Sequence, residues 1–287
     1  MADHLCVVCD SGMKAGLASW HFICASCGYE GTTLAPRIND QAAYGMLNEA
    51  AREEGLKDLR AENFRVILQA IRRLVDPVNK TLLDVGSAHG WFLQAAAPSF
   101  MVTGIEPDEE VAARARLGGH AIRTGFFPEV LNEHERFDVI VFNDVIEHIP
   151  AVGAAMDACI AHLNRDGLLV LNLPSSAGFF YRLAKVLARL GWRHPFERMW
   201  QKDLPSPHVH YFSPGNLLKL ARDRRFQLMA TFELPSVRAR GLLARMRWAG
   251  TLSGIGLWVQ YICILAALPF IRLFRSDIQV AIFRSRR

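Results

Sequence analysis

Four of the six cysteines fall in two pairs, Cys6-Val7-Val8-Cys9 and, after 14 residues, Cys24-Ala25-Ser26-Cys27. Each C-x-x-C unit sets two thiolates on one tight turn. Two such turns supply four sulfurs in a tetrahedron, the geometry zinc takes. Gly12 and Gly28 lie just beyond the pairs, where a tight turn needs a permissive backbone. A redox dithiol is the competing use of a C-x-x-C, and the presence of two spaced pairs argues for the metal. A set of four cysteine ligands leaves no open coordination position, so Cys6, Cys9, Cys24 and Cys27 are expected to hold a structural Zn2+. A ribbon of about 30 residues cannot build a core of its own and needs such a staple. Cys159 and Cys263 sit in apolar helical surroundings and are expected in the core.

A second set of chemistry-bearing residues begins at Leu82-Leu83-Asp84-Val85-Gly86-Ser87-Ala88-His89-Gly90. A buried strand here ends in a glycine-containing turn that opens a helix, so a ligand can approach the backbone closely. Glu106 closes the next strand, 20 residues after Gly86, where a carboxylate can accept hydrogen bonds from both hydroxyls of a ribose. The dinucleotide fingerprint G-x-G-x-x-G would put its second and third glycines on Ala88 and Trp91, and the third fails. Three histidines, His148, His208 and His210, are candidate proton acceptors. Glu147 and His148 together also offer two ligands to a divalent cation.

Strand and helix alternate around these residues. Phe64, Ile67, Leu68, Ile71 and Leu74 recur at helical spacing over 63–75. Strands are expected at Thr81–Val85, Met101–Ile105, His120–Thr124, Phe137–Phe142 and Leu168–Leu173, the last entered by a turn at Asp166-Gly167. Helices are expected at Trp91–Ala97, Glu109–Leu117 and Val152–Leu163. Ser213-Pro214 pairs a capping hydroxyl with proline at the first position and starts a helix over 215–223. Phe226–Phe232 and Ile278–Phe283 read as two further strands. The order predicts an α/β chain: a Rossmann-like, doubly wound, mostly parallel sheet with helices on both faces. The expected division is a zinc ribbon at 1–35, a linker or helical connection at 36–62 and a catalytic domain at 63–287. Residues 174–207 and 236–276 form its substrate- or membrane-facing inserts.

Composition sets the boundaries. With 51% hydrophobic and 21% charged residues over 287 positions, the chain is globular and excludes a disordered one. Its net charge of +5 conceals two halves: 178–287 carries 19 Lys and Arg against 5 Asp and Glu, and 1–177 carries 14 against 23. A basic C-terminal third suits a membrane surface, a phosphorylated lipid or a nucleic acid, or is simply a solvated face. The start, Met1-Ala2-Asp3-His4, lacks a basic region and an apolar run, so a cytoplasmic chain is expected, peripheral at most on the inner face of the membrane. Leu252–Ile271 is twenty residues without a charge, long enough to span a bilayer. A single span would part the strand at 278–283 from its own sheet. Gly254, Gly256 and Pro269 favour a broken segment, whether a hairpin dipping into the membrane, an interfacial stretch or one buried against the fold. The expected helix at 179–192 puts Phe179, Phe180, Leu183, Val186, Leu187 and Leu190 on one face and Arg182, Lys185 and Arg189 opposite, a pattern suited to a membrane surface.

The turn at Asp84–Gly90 resembles the D-x-G-x-x-x-G turn of the class I S-adenosylmethionine-dependent methyltransferases. The stretch Phe137–Pro150, which contains Asn143-Asp144 and Glu147-His148, resembles the fourth strand and following loop of the ubiquinone-biosynthesis-like subgroup. Asp166–Pro174 is similar to that family's fifth strand, and His208-Val209-His210-Tyr211-Phe212-Ser213-Pro214 to its H-x-x-Y-F-[ST]-P stretch. The resemblance covers about 60–234, with a final strand at 278–283. It implies S-adenosyl-L-methionine as cofactor, with Asp84, Gly86, Ser87 and Gly90 around its methionine end and Glu106 on its ribose. Asn143 and Asp144 would face it, and Phe126 would pack on the adenine. Ala88 departs from the Gly or Thr of many members and Ser87 from their Cys, and both are small enough to keep the turn. His148 and His208 would be the catalytic bases for O-methylation of a small molecule, a glycan or a lipid-linked acceptor. An RNA methyltransferase is the alternative, ranked lower because no catalytic cysteine for base C5 chemistry and no N-P-P-[FY] motif is found. A non-catalytic binding module on the same fold is the third reading.

Overall fold

The structure is a computed structural model describing residues 4–39, 49–249 and 254–286. Two sheets organise it. The larger has seven strands: β4 (Thr81–Val85), β5 (Met101–Glu106), β6 (Ile122–Thr124), β7 (Phe137–Asn143), β8 (Leu163–Pro174), β10 (Phe226–Leu234) and β11 (Ile278–Ser285). They lie in the order β10-β11-β8-β7-β4-β5-β6. β4 to β8 pair in parallel, and β11 inserts antiparallel between β8 and β10. The chain runs outward from β4 through β5 to β6 and then returns to β7 on the other flank of β4. That reversal leaves a crevice at the carboxyl ends of β4 and β7, where open α/β sheets bind ligands.

The central strands read as continuous apolar runs because both faces are covered. Leu83, Val85, Ile140, Phe142, Leu169 and Leu171 face one core, with Met156 of the helix Val152–His162 and Leu217 and Leu220 of the helix Pro214–Asp223. Their neighbours Leu82, Val139, Val141, Leu168 and Val170 face the other. There they meet Phe64, Ile67, Leu68 and Ile71 of α1, Glu49–Arg72. The helical period expected over 63–75 is thus the second half of a longer helix, whose start lies inside the stretch expected to be a connection. Ser213 caps the helix at 214–223 as expected, accepting from Asn216 N at 3.2 Å while Asn216 Oδ1 accepts from Ser213 N at 3.1 Å.

The smaller sheet joins β1 (Met13–Ala15), β2 (His21–Cys24) and β3 (Glu30–Thr32) to β9 (His210–Tyr211), in the order β1-β2-β3-β9. The ribbon therefore shares a sheet with a strand some 180 residues away in sequence, and the boundary expected near residue 35 is crossed by strand pairing.

The segment that begins at Leu252 differs from its expected form. Residues 252 and 253 lie outside the described residues, and Ile255–Ile271 is one continuous helix rather than a broken hairpin. Pro269 stands in its last turn and forgoes its own bond to the carbonyl four residues earlier, yet Arg272 N still donates to Leu268 O at 3.2 Å and the helix runs on. No described helix is long and apolar enough to cross a membrane. This helix packs Leu257, Ile264 and Leu265 against Leu242 and Met246 of the helix Leu242–Ala249, and exposes Ile255, Trp258, Val259, Ile262 and Phe270. Cys263 is exposed on it, contrary to the core position expected, while Cys159 is buried as expected. The basic helix is Phe179–Arg189. It buries Tyr181, Ala184 and Ala188, and Leu183, Val186 and Leu190 point outward. Small residues let a helix backbone approach its support closely, so the packed face is not the one with the largest aliphatic side chains. Lys185, expected on the solvent face, turns inward to Glu30 at 2.6 Å.

Candidate functional site

The turn after β4 brings together the residues singled out for a cofactor. Gly86 has φ 71° and Gly90 φ 77°, the left-handed region that glycine enters without strain. A side chain on Gly86 would stand 2.5 Å from Val145, and one on Gly90 would run into the His120 ring. Ala88, between them, also has positive φ, at 44°. Glu106 ties this turn to the end of β5, its Oε2 accepting from Ala88 N and its Oε1 from Asp108 N, both at 2.9 Å. Asp84 is buried at the end of β4 and accepts from Asn143 Nδ2 at 3.2 Å. Asn172 of β8 donates in turn to Asn143 Oδ1 at 3.4 Å, so polar side chains link three adjacent strand ends.

Burial penalises charge here. It pushes the Asp84 carboxyl up to about 8, against the pull of the Asn143 hydrogen bond. It raises Glu106 as well, although two backbone N–H groups favour the ionised form. Asp144 follows β7 with φ 55° and is paired with Arg60 of α1 at 3.4 Å. Ser87 Oγ and Asn172 Oδ1 are buried and have no hydrogen-bond partner among the described residues. A polar ligand in the crevice fits a cradle of this kind: a glycine turn without side chains, a buried carboxyl and unsatisfied polar atoms. Phe126 is half-exposed on the loop after β6, against the same end of the sheet.

The second cluster sits beyond Asp144 in the same loop. A short 3-10 helix, Ile146–His148, turns Glu147 inward, where it is buried and neither carboxyl oxygen has a hydrogen-bond partner among the described residues. His148 Nε2 and His208 Nε2 both stand 4.0 Å from Glu147 Oε1. The other nitrogen of His148 donates to Pro207 O at 2.9 Å, which leaves Nε2 as the basic nitrogen. Gln201 Nε2 donates to His208 Nε2 at 2.9 Å, which sets the same tautomer there. Burial, then the neighbouring His148, holds His208 well below the ordinary histidine range. Burial, then Asp144, raises Glu147 well above the carboxylate range. Burial thus disfavours charge on both Glu147 and His208; His148 turns its basic nitrogen toward the carboxyl, while the Nε2 lone pair of His208 is taken by Gln201. The trio can take a proton from an acidic hydroxyl, and its donor set also suits a divalent cation. His210 does not join it: Tyr29 Oη donates to its Nδ1 and its Nε2 donates to Ile149 O at 2.9 Å, so both nitrogens are engaged.

The third cluster is the four cysteines. Cys6 and Cys27, Cys9 and Cys24, and Cys9 and Cys27 all stand 3.5 Å apart, sulfur to sulfur. Zinc–thiolate bonds of about 2.3 Å in a tetrahedron give edges of about 3.8 Å, so the set fits that ion. Val8 N and Cys27 N each donate to a ligand sulfur at 3.4 Å, as backbone turns around thiolates do.

Of the residues singled out in the sequence for chemistry, all but His210 fall into these three groups. Reading the sequence missed Arg60 and Tyr29, whose partners are distant in the chain, and Gln201, seven residues from His208.

A profile of the methyltransferase domain family matches residues 59–231. The chain is 33% identical over 154 residues to the ubiquinone biosynthesis O-methyltransferase of Paramagnetospirillum magneticum, covering 50% of this chain and 58% of that one. It is 27% identical over 154 residues to the protein of that name from Bradyrhizobium diazoefficiens, covering 50% and 57%. The chain thus matches somewhat over half the length of these relatives. The magnesium protoporphyrin IX methyltransferase of Synechocystis, solved with bound S-adenosylhomocysteine, superposes with a TM-score of 0.53 at 12% identity over 86% of this chain and 92% of that one. Geranyl diphosphate methyltransferase in complex with S-adenosylmethionine gives 0.53 at 15% identity over 88% and 98%. At such identities the likeness is one of fold.

Proposed function

The chain belongs to the methyltransferase domain family, and we propose that it is an S-adenosylmethionine-dependent O-methyltransferase of a small hydroxylated acceptor. The observation that carries this reading is the crevice at the ends of β4 and β7. There Glu106 is tied to a side-chain-free turn, and the Glu147–His148–His208 trio lies one loop away. S-adenosylmethionine, when bound, supplies a methyl group on a cationic sulfonium. Asp84, Gly86, Ser87 and Gly90 are assigned to its methionine end, Glu106 to its ribose, Asn143 and Asp144 to the face beside the transferred group and Phe126 to the adenine.

The protein's own work is then alignment and proton removal. His148, whose side chain is the more exposed of the two bases, takes the acceptor proton at Nε2, while the bond to Pro207 O keeps that nitrogen basic. His208 and Glu147 complete a pocket that favours a neutral hydroxyl before transfer. The names of the relatives support a phenolic or catechol-like acceptor. The alternative for such an acceptor is that Glu147 and His148, in place of a proton acceptor, would hold a divalent cation that orients it. Cys6, Cys9, Cys24 and Cys27 are assigned to a structural zinc.

Titration calorimetry with S-adenosylhomocysteine tests the reading. Micromolar binding that weakens at least about tenfold in Glu106→Ala is expected, from the loss of charge-assisted hydrogen bonds. No binding by folded, zinc-loaded protein would overturn it.

Peripheral contact with a membrane belongs to the same proposal. Phe179 and Phe274 touch, with centroids 4.8 Å apart, which joins the exposed aliphatic side chains at 183–190 to those at 255–274. Exposed Arg182, Arg189, Arg272 and Arg275 flank this surface. Co-sedimentation with anionic vesicles, abolished by Trp258→Glu combined with Leu190→Glu, is the expected result.

A further inference from the structure

A zinc ribbon carried as a separate module would present its strands to solvent and meet its domain through a few surface contacts. This ribbon does neither. β3 pairs with β9, Glu30 opposite Tyr211 and Gly31 opposite His210. Thr32 N donates to Val209 O at 3.1 Å and Thr32 Oγ1 to His208 O at 3.3 Å. On its other side the same short segment is held by the loop after β7. Val209 N donates to Glu147 O at 2.8 Å, and His210 Nε2 donates to Ile149 O. The segment carrying His208 is therefore clamped between the ribbon and the turn that carries Glu147 and His148.

Tyr29 closes the clamp through a side chain. It is 2% exposed, two residues after the ligand Cys27, and its phenol donates to His210 Nδ1. Two further ties fix the ribbon. Glu30 is buried, accepts from Tyr181 Oη at 2.8 Å and pairs with Lys185 at 2.6 Å and His21 at 2.9 Å. Asn216 Nδ2 donates to Cys27 O at 2.8 Å. Each links the ribbon to a different helix of the catalytic domain.

We infer that the ribbon is a fixed wall of the reaction site, and that Tyr29 is a positioning residue which, through His210 and β9, sets His208 and His148 against Glu147. The geometry stands on its own, and only the reaction it serves rests on the methyltransferase reading. A neutral histidine with Tyr29 on one nitrogen and Ile149 O on the other is locked in one tautomer and one ring plane. Removing the phenol hydroxyl frees the ring, and through it the segment that joins the trio.

The test uses the full zinc-loaded chain, labelled with 15N in its histidines, as wild type and as Tyr29→Phe, which keeps the ring and its packing. Zinc is expected to remain at one per chain, and affinity for S-adenosylhomocysteine to stay within about twofold. The ring signals of His210 should shift as its Nδ1 loses the phenol, and those of His148 and His208 should move with them. With a simple catechol as acceptor, kcat should fall about tenfold while KM for S-adenosylmethionine is unchanged, the signature of lost positioning at the acceptor. Should the His148 and His208 signals overlay those of the wild type while only His210 changes, the inference is overturned. If Tyr29→Phe loses zinc or does not fold, Thr32→Val, which removes the bond to His208 O, decides the matter by the same ring signals. Failure of the wild type to bind S-adenosylhomocysteine would strike the methyltransferase reading alone, since the ring signals report the clamp with or without cofactor.

Discussion

A buried carboxyl that keeps its proton at neutral pH has consequences for ligand binding. Asp84 is held at about 8 in the cofactor-free protein, above the ordinary carboxylate value of about 3.9. A group raised in this way favours the fold fully below about pH 4, and that contribution is lost as pH rises through 8. A cationic sulfonium beside Asp84 favours the ionised form. Binding of S-adenosylmethionine at pH 7 is therefore expected to release most of one proton, falling toward none above pH 9. Calorimetry in two buffers of different ionisation enthalpy measures this, and Asp84→Asn should abolish it. At the trio, His148→Ala is expected to lower kcat by about 10²–10⁴ with cofactor affinity unchanged, as loss of a positioned base does. The residues behind these predictions are legible in the sequence because a strand, a turn and the next strand end place them by local spacing. Arg60 and Tyr29 are not, because nothing within a few positions of Asp144 or His210 signals a partner that arrives from another element; Gln201, seven positions before His208, is missed because irregular chain carries no period that pairs them.

Among the elements, the turn at Gly86–Gly90 is the least tolerant of change. Gly90 combines φ 77° with the His120 ring at the place a side chain would occupy, so Gly90→Ala is expected to destabilise by about 1–3 kcal/mol in urea unfolding. Ser213→Ala removes one half of a reciprocal cap, for an expected loss of about 1 kcal/mol in the same measurement. Both elements announce themselves in sequence, one by glycine spacing and the other by Ser-Pro. The helix at 179–189 shows where such legibility stops. Its period is plain, but its inward face is Tyr181, Ala184 and Ala188, chosen by how closely its support approaches rather than by side-chain hydrophobicity. The segment from 255 to 271 makes the same point. Glycine and proline there suggest a break, yet the helix runs through Pro269 to Ile271 at the cost of that residue's own backbone bond.

For the molecule as a whole, the seven-stranded sheet follows from the alternation of strands and helices, whereas the union of ribbon and catalytic domain does not. Pairing between strands so far apart leaves no periodic trace. Stripping zinc is expected to disturb more than the ribbon. Trp20 stacks on Phe196 at 5.8 Å and lies edge-on to Trp200 at 6.1 Å, so chelation should change tryptophan emission and near-UV dichroism along with the thermal transition. A loss of bound zinc with those signals unaltered would show the ribbon to be dispensable to the packing around it. The four-stranded sheet also has a consequence in time. Tyr29 and His210 are 181 positions apart, and at synthesis rates of 5–20 residues per second the partner strand follows after roughly 10–40 s. Throughout that interval the nascent ribbon carries an unpaired edge at β3, open to pairing with a neighbouring chain on the same messenger. Early capture of metal by the four cysteines would keep that edge in register until its partner emerges, which makes zinc supply during translation a determinant of yield.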